Sequence, residues 1–116
     1  MTNKEIIAQV IEAFDNSDGA TITSHMTDDV EWHMLGDQVY SGIETVKKFF
    51  NDNQDMKVTS SLKNHIIADG DTIVVNGEIT CTISNGDLCN MYYCDIYELE
   101  NFRIKKLTSY IVDKKG

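Results

Sequence analysis

From Lys57 onward the chain is strand after strand, and this run limits the possible folds more than any other feature of the sequence. No proline occurs anywhere in the chain, so no strand is broken by a missing backbone donor. The pattern predicts strands near 57–68, 72–83, 88–99 and 103–112. The turns between them are Asp69-Gly70-Asp71, Ser84-Asn85-Gly86 and Glu100-Asn101-Phe102. Long strands joined by such short turns pair antiparallel with their neighbours.

The first half of the chain reads differently. Thr2-Asn3-Lys4-Glu5 has the form of a capping box, and Ile6, Ile7, Val10, Ile11 and Phe14 follow at helical spacing. Asn16-Ser17-Asp18-Gly19 ends this helix, and Asp18 caps a short second one carrying Ile22 and Met26. Val30-Glu31-Trp32-His33-Met34 alternates as a strand with Val30, Trp32 and Met34 on its apolar face, and Gly36-Asp37 breaks it. Ser41-Gly42-Ile43-Glu44 reads as a second capping box, opening a third helix with Val46, Phe49 and Phe50 inward. Helices first and a meander afterwards give an α+β fold with helices on one face of the sheet. The 116 residues suit one domain, 1–116.

The central hairpin admits two registers. A two-residue Asn85-Gly86 turn puts Ile73, Val75, Gly77, Ile79 and Cys81 beside Asn90, Cys94 and Glu98. A three-residue loop, with Gly86 left-handed, shifts the pairing by one and exchanges the faces. Ile73, Val75, Gly77, Ile79, Cys81 and Ile83 then share a face with Cys89, Met91, Tyr93, Asp95, Tyr97 and Leu99. The second register separates apolar from polar residues far better and is the one expected. It leaves Asp95 as the only charge on the inner face, places Gly77 opposite Tyr93 as a gap that opens space, and sets Cys81 facing Cys89.

Composition narrows the function classes. A net charge of −9 argues against nucleic acid and anionic membranes as partners. No apolar run reaches the roughly 20 residues that span a bilayer, and the N-terminus lacks a signal-peptide pattern, so a cytoplasmic protein is expected. The three cysteines form no CxxC and are expected as free thiols. Neither a Gly-rich phosphate loop nor a metal-ligand cluster appears, so no cofactor is implied.

Several segments, in their order and spacing, resemble the SnoaL-like group of the nuclear transport factor 2-like superfamily, which includes ketosteroid isomerases and polyketide cyclases. They are Phe14-Asp15-Asn16-Ser17-Asp18, Thr27 to Trp32, Tyr40 to Phe50, Tyr93 to Leu99, and Arg103-Ile104. The resemblance covers nearly the whole chain. It implies a cone: a strongly bent, antiparallel to mixed sheet, three helices over its concave face, and a pocket between them. It also implies a homodimer joined through the sheets, where Val74, Leu88, Tyr92 and Ile96 lie on the otherwise polar outer face. Of three isomerase parts, the first-strand aspartate is matched by Met34 and the helix-one tyrosine by Val10. Only the late-strand aspartate has a counterpart, Asp95, and polyketide cyclases use an aspartate in that region as acid/base.

The candidate catalytic residue is therefore Asp95, either an acid/base or a structural carboxyl held by a tyrosine or backbone. Trp32, Met34, Phe49, Tyr93 and Tyr97 are candidate pocket residues, with core packing as their other possible role. Tyr40 is expected at the pocket mouth with Asp37. His65 falls in the long second strand, where a bulge decides its face, and is a possible partner of Asp95. The leading function is an isomerase- or cyclase-type enzyme acting on an apolar carbonyl compound. The alternatives are a non-catalytic small-ligand binder and a dimerisation module.

Overall fold

In the computed structural model, which describes residues 1–83 and 85–114, Thr2 caps the first helix reciprocally. The Glu5 N–H donates to the Thr2 hydroxyl at 3.1 Å, and the Thr2 N–H donates to Glu5 Oε1 at 3.0 Å. Helix α1 (Asn3–Asp15) buries Ile6, Ile7, Val10, Ile11 and Ala13. Helix α2 (Gly19–Ser24) starts at Asp18, whose carboxylate accepts from the Thr21 N–H at 3.1 Å and the Thr21 hydroxyl at 2.6 Å. Met26 lies beyond this helix, contrary to the sequence expectation. Thr23 and Ser24 turn their hydroxyls back onto the carbonyls of Gly19 and Thr21, and the helix stops at His25. Met26 instead begins strand β1 (Met26–Met34), four residues earlier than alternation suggested.

Strand β2 (Val39–Ser41) is too short to leave a periodic signal, and it corrects the second capping box. Ser41 pairs with Glu31 across β1, so its hydroxyl caps nothing. Gly42, at φ +88°, is the residue before helix α3 (Ile43–Asp52), which has no side-chain cap. Strands β3 (Lys57–Asp69), β4 (Thr72–Thr82), β5 (Leu88–Glu100) and β6 (Arg103–Asp113) fall within a residue or so of the predicted bounds.

The strands form one six-stranded sheet in the order β2-β1-β6-β5-β4-β3. β1 runs parallel to β6 and the other neighbours are antiparallel, so the sheet is mixed. β4 and β5 adopt the three-residue-loop register: Val75 pairs with Asp95, Gly77 with Tyr93 and Cys81 with Cys89. Gly86 has φ +89°, and its N–H closes the loop on the Ile83 carbonyl at 2.8 Å. Ser84, the first loop residue, lies outside the described residues. Helices α1 and α3 pack on the inner face, where Val10, Ile22, Val30, Val46, Ile73, Val75, Ile104 and Leu107 are fully or almost fully buried. The cysteines are free thiols, Cys81 being buried. No helix among the described residues is long and apolar enough to cross a membrane.

Two bulges in β3, after Val58 and after Lys63, bend the outer edge strand and overturn two expectations. The second bulge inserts Asn64, so Lys63 faces inward opposite Gly77 while His65 pairs with Asn76 on the outer face. His65 is exposed, with Nδ1 2.9 Å from Asn76 Oδ1, and is no partner of Asp95. Gly77 does not open space beside Tyr93. A Cβ there would stand 2.0 Å from the Leu62 carbonyl oxygen, because the bent β3 backbone crosses directly over it. We predict that Gly77→Ala lowers stability by at least about 2 kcal/mol, read as a lower urea midpoint. An unchanged midpoint would show that β3 can move away without cost.

Candidate functional site

Alternation along β1 sends Trp32 into the space between sheet and helices, and the ring is 4% exposed. Phe14 from α1 meets it edge-on with centroids 6.0 Å apart. From α3, Phe49 stands perpendicular at 5.0 Å and Phe50 stacks at 5.6 Å. These separations are those of favourable aromatic pairs. The indole Nε1–H donates to Ser109 Oγ on β6 at 2.9 Å, a bond buried from solvent.

Ser109 pairs across the sheet with Asp95, whose other neighbour is Val75. The Asp95 carboxyl lies among apolar groups, and burial pushes its pKa up to about 6 against a smaller opposing hydrogen bond from Ser109. No Lys, Arg or His among the described residues forms an ion pair with it. Tyr93 and Tyr97 flank it two residues away. Burial, with the Asp95 and Asp15 charges adding to it, pushes the Tyr93 phenol up to about 12. Tyr97 is fully buried and is also shifted upward, again first by burial.

These side chains border a cavity of about 320 Å³. Asp95, Trp32, Met34, Phe49, Tyr93 and Tyr97 all line it. Tyr40 does not. It packs behind, against Trp32 and Phe49 at 5.8 and 5.0 Å, and its hydroxyl accepts from Gln38 at 2.7 Å. Gly77 and His65 are likewise absent from the wall, for the reasons given above. Val10 is fully buried in the core and does not reach the cavity. Among the described residues no three His, Cys, Asp or Glu side chains converge as metal ligands.

Sequence reasoning missed Ser109, Phe14, Phe50 and the Asp15–Lys63 ion pair. Asp15, at the end of α1, lines the cavity and binds the Lys63 ammonium, and both side chains keep partial contact with solvent. Phe14 and Phe50 carried a signal, since both lie on the apolar stripes of their helices. Ser109 carried none. Counting back from the Glu100–Arg103 pair sets Asp95 opposite Thr108, and only the irregularity between Glu98 and Leu99 moves it to Ser109.

The raised Asp95 pKa has a consequence for stability. Below the ordinary aspartate value the group is protonated in both folded and unfolded chains, and its contribution is fully present. As pH rises through about 6, the folded protein must expose a carboxylate to an apolar site, and that stability is lost. Glu5, Asp18 and Glu78 are shifted down and act in the opposite sense, so the informative quantity is the difference between wild type and Asp95→Asn. We predict that the variant gains about 2–3 kcal/mol relative to wild type between pH 4 and pH 7. The Asp95 carboxyl carbon should titrate near pH 6 by NMR, and a midpoint below 4 would refute the burial account.

A model of the SnoaL-like domain matches residues 7–107. No curated protein sequence matches the chain. Among solved structures, a nuclear transport factor 2-like protein of unknown function from Cytophaga hutchinsonii is 26% identical. The match covers 96% of this chain and 100% of that one, with a TM-score of 0.76. An epoxide hydrolase from M. tuberculosis, described as LEH-like, superposes with a TM-score of 0.82 at 16% identity, covering 95% and 82% of the two chains. TerC, co-crystallised with polyporic acid, gives 0.79 at 20% identity over 95% and 91%. These likenesses agree on the fold, and the matched span of 101 residues out of 116 places the chain in the SnoaL-like domain family.

Proposed function

We propose that this SnoaL-like domain binds an apolar, carbonyl-bearing small molecule and that Asp95 moves a proton on it. The observation that carries this reading is a carboxyl with no ion-pair partner, shifted to about 6, in the wall of a cavity otherwise lined mainly by apolar and aromatic side chains. Near neutral pH such a group exists in both forms, which suits general acid/base work. Its carboxylate takes a proton from the carbon beside the carbonyl. The C–H electron pair moves into the enolate, whose oxygen accepts a hydrogen bond from the phenol of Tyr93 or Tyr97. Both phenols stay protonated across the working range, as a donor must. Return of the proton to a different atom completes an isomerisation or ring closure. The solved relatives support the ligand class indirectly: one is described as an epoxide hydrolase and another was crystallised with polyporic acid.

One observation favours a second reading, a non-catalytic binder. Met34 lines the cavity at the position where the resembling isomerases place an aspartate base, so that base has no counterpart on β1. Asp95→Asn separates the two readings. The enzyme reading expects an uncharged carbonyl ligand to bind within about threefold of wild type while turnover falls by about 10²–10⁴, and undiminished turnover would overturn it.

We also propose that the protein is a homodimer joined through the outer sheet face. Leu88, Tyr92 and Val112 are 63%, 50% and 61% exposed there, beside Val74 and Ile96. A stable interface would cover on the order of 1,600 Å² in total. Light scattering at micromolar concentration should give twice the chain mass, and Tyr92→Glu should halve it. A monomeric wild type would overturn this assembly.

A further inference from the structure

We propose that the ligand carries a cationic nitrogen on its apolar body, held beside Asp95 against the aromatic wall of the cavity. This rests on the preceding reading that the cavity is a ligand site, and it narrows the ligand's chemistry.

The wall contains no Lys, Arg or His among the described residues, yet it contains two aspartates. Lys63 answers the charge of Asp15. No cation among the described residues answers Asp95, so an anionic ligand would have to sit beside an unpaired carboxylate in an apolar enclosure, where repulsion is poorly screened. The remaining polar wall is neutral: Ser17, Asn53, Gln54 and Ser109. Six rings face the same space, those of Phe14, Trp32, Phe49, Phe50, Tyr93 and Tyr97. Aromatic faces are negative and attract a cation within about 6 Å, most strongly where water is excluded. Tyr93 and Tyr97, which flank Asp95 on its strand, both feel the charges of Asp95 and Asp15, so this end of the cavity is its negative part. The net charge of −9 adds a general field that draws cations toward the mouth. An ammonium in that position also withdraws electrons from the neighbouring carbon, which eases removal of its proton by Asp95.

Trp32 is the only tryptophan of the chain and lines the cavity, so its fluorescence reports occupancy. The full chain would be titrated with three probes of similar size: benzyltrimethylammonium, its uncharged isostere neopentylbenzene, and phenylacetate. Wild type should bind the ammonium at least about tenfold more tightly than the neutral probe, with no saturable response to the anion. Asp95→Asn should weaken ammonium binding about tenfold or more and leave the neutral probe unchanged. Asp15→Asn should act in the same direction with a smaller effect, and circular dichroism would verify the fold of both. If Asp95→Asn fails to fold, the wild-type ranking and Asp15→Asn decide. A neutral probe that binds as tightly as the ammonium, or saturable binding of phenylacetate, overturns the cationic ligand and leaves the carbonyl-pocket reading intact. Absence of binding by all three probes overturns both.

Discussion

The buried indole of Trp32 is where the layers of this protein meet. Phe14, Phe49 and Phe50 press the helices onto it, and Tyr40 closes its edge from β2. Its single polar atom has one task, the bond to Ser109 at 2.9 Å. A buried N–H without an acceptor is costly, so this bond fixes both the ring's orientation and the position of the Ser109 hydroxyl. Ser109 in turn stands beside Asp95. The packing that joins helix to sheet and the polar contact that flanks the acid are thus two faces of one side chain.

Asp95 shows which effect wins at the site. Ser109 stabilises the carboxylate and draws the pKa down, while the surrounding apolar groups exclude water and push it up. Burial prevails because one neutral hydroxyl cannot replace a carboxylate's hydration, which usually needs several donors or a counter-charge. The nearest contrast is Asp15, also in the cavity wall, which keeps partial solvent contact and holds Lys63. Two aspartates in one cavity therefore have different surroundings, one paired and one not. A purely structural role for Asp95 would be expected to come with matching donors, and among the described residues Ser109 alone supplies one.

Sequence was sufficient where a single choice controlled many residues. The register of β4 against β5 followed from which alignment separated apolar from polar residues and kept Asn90 and Glu98 outside, and one residue of slip would have reversed every position. It was insufficient where one residue departed from the period. The Asn64 bulge turned His65 outward, and the irregularity at Glu98 and Leu99 brought Ser109 to Asp95. Neither insertion has a marker in the local sequence. Ser41 misled for another reason. The pattern of a capping box was present, but a three-residue strand had already committed that residue's backbone to Glu31. Gly77 was noticed correctly as a missing side chain opposite Tyr93. The space it leaves is filled by backbone from the opposite direction, which the pairing with Tyr93 alone gave no means of seeing.

The β3 bulges connect these points. Without the bulge at Asn64, β3 would place His65 opposite Val75, facing inward. With the bulges, the strand bends over Gly77 until the Leu62 carbonyl occupies the volume a side chain would need. That bend leaves Lys63 as the inward residue at the rim, where it meets the end of α1 through Asp15. The edge strand is thereby tied to the first helix by an ion pair, at the margin of the same cavity whose interior carries the unpaired acid. A glycine chosen for backbone approach, a bulge that selects which residue points inward, and the charge arrangement of the cavity are consequently one structural decision. Without the Asn64 bulge Lys63 would stay opposite Gly77 and His65 would join it on the inner face, opposite Val75, the residue that pairs with Asp95.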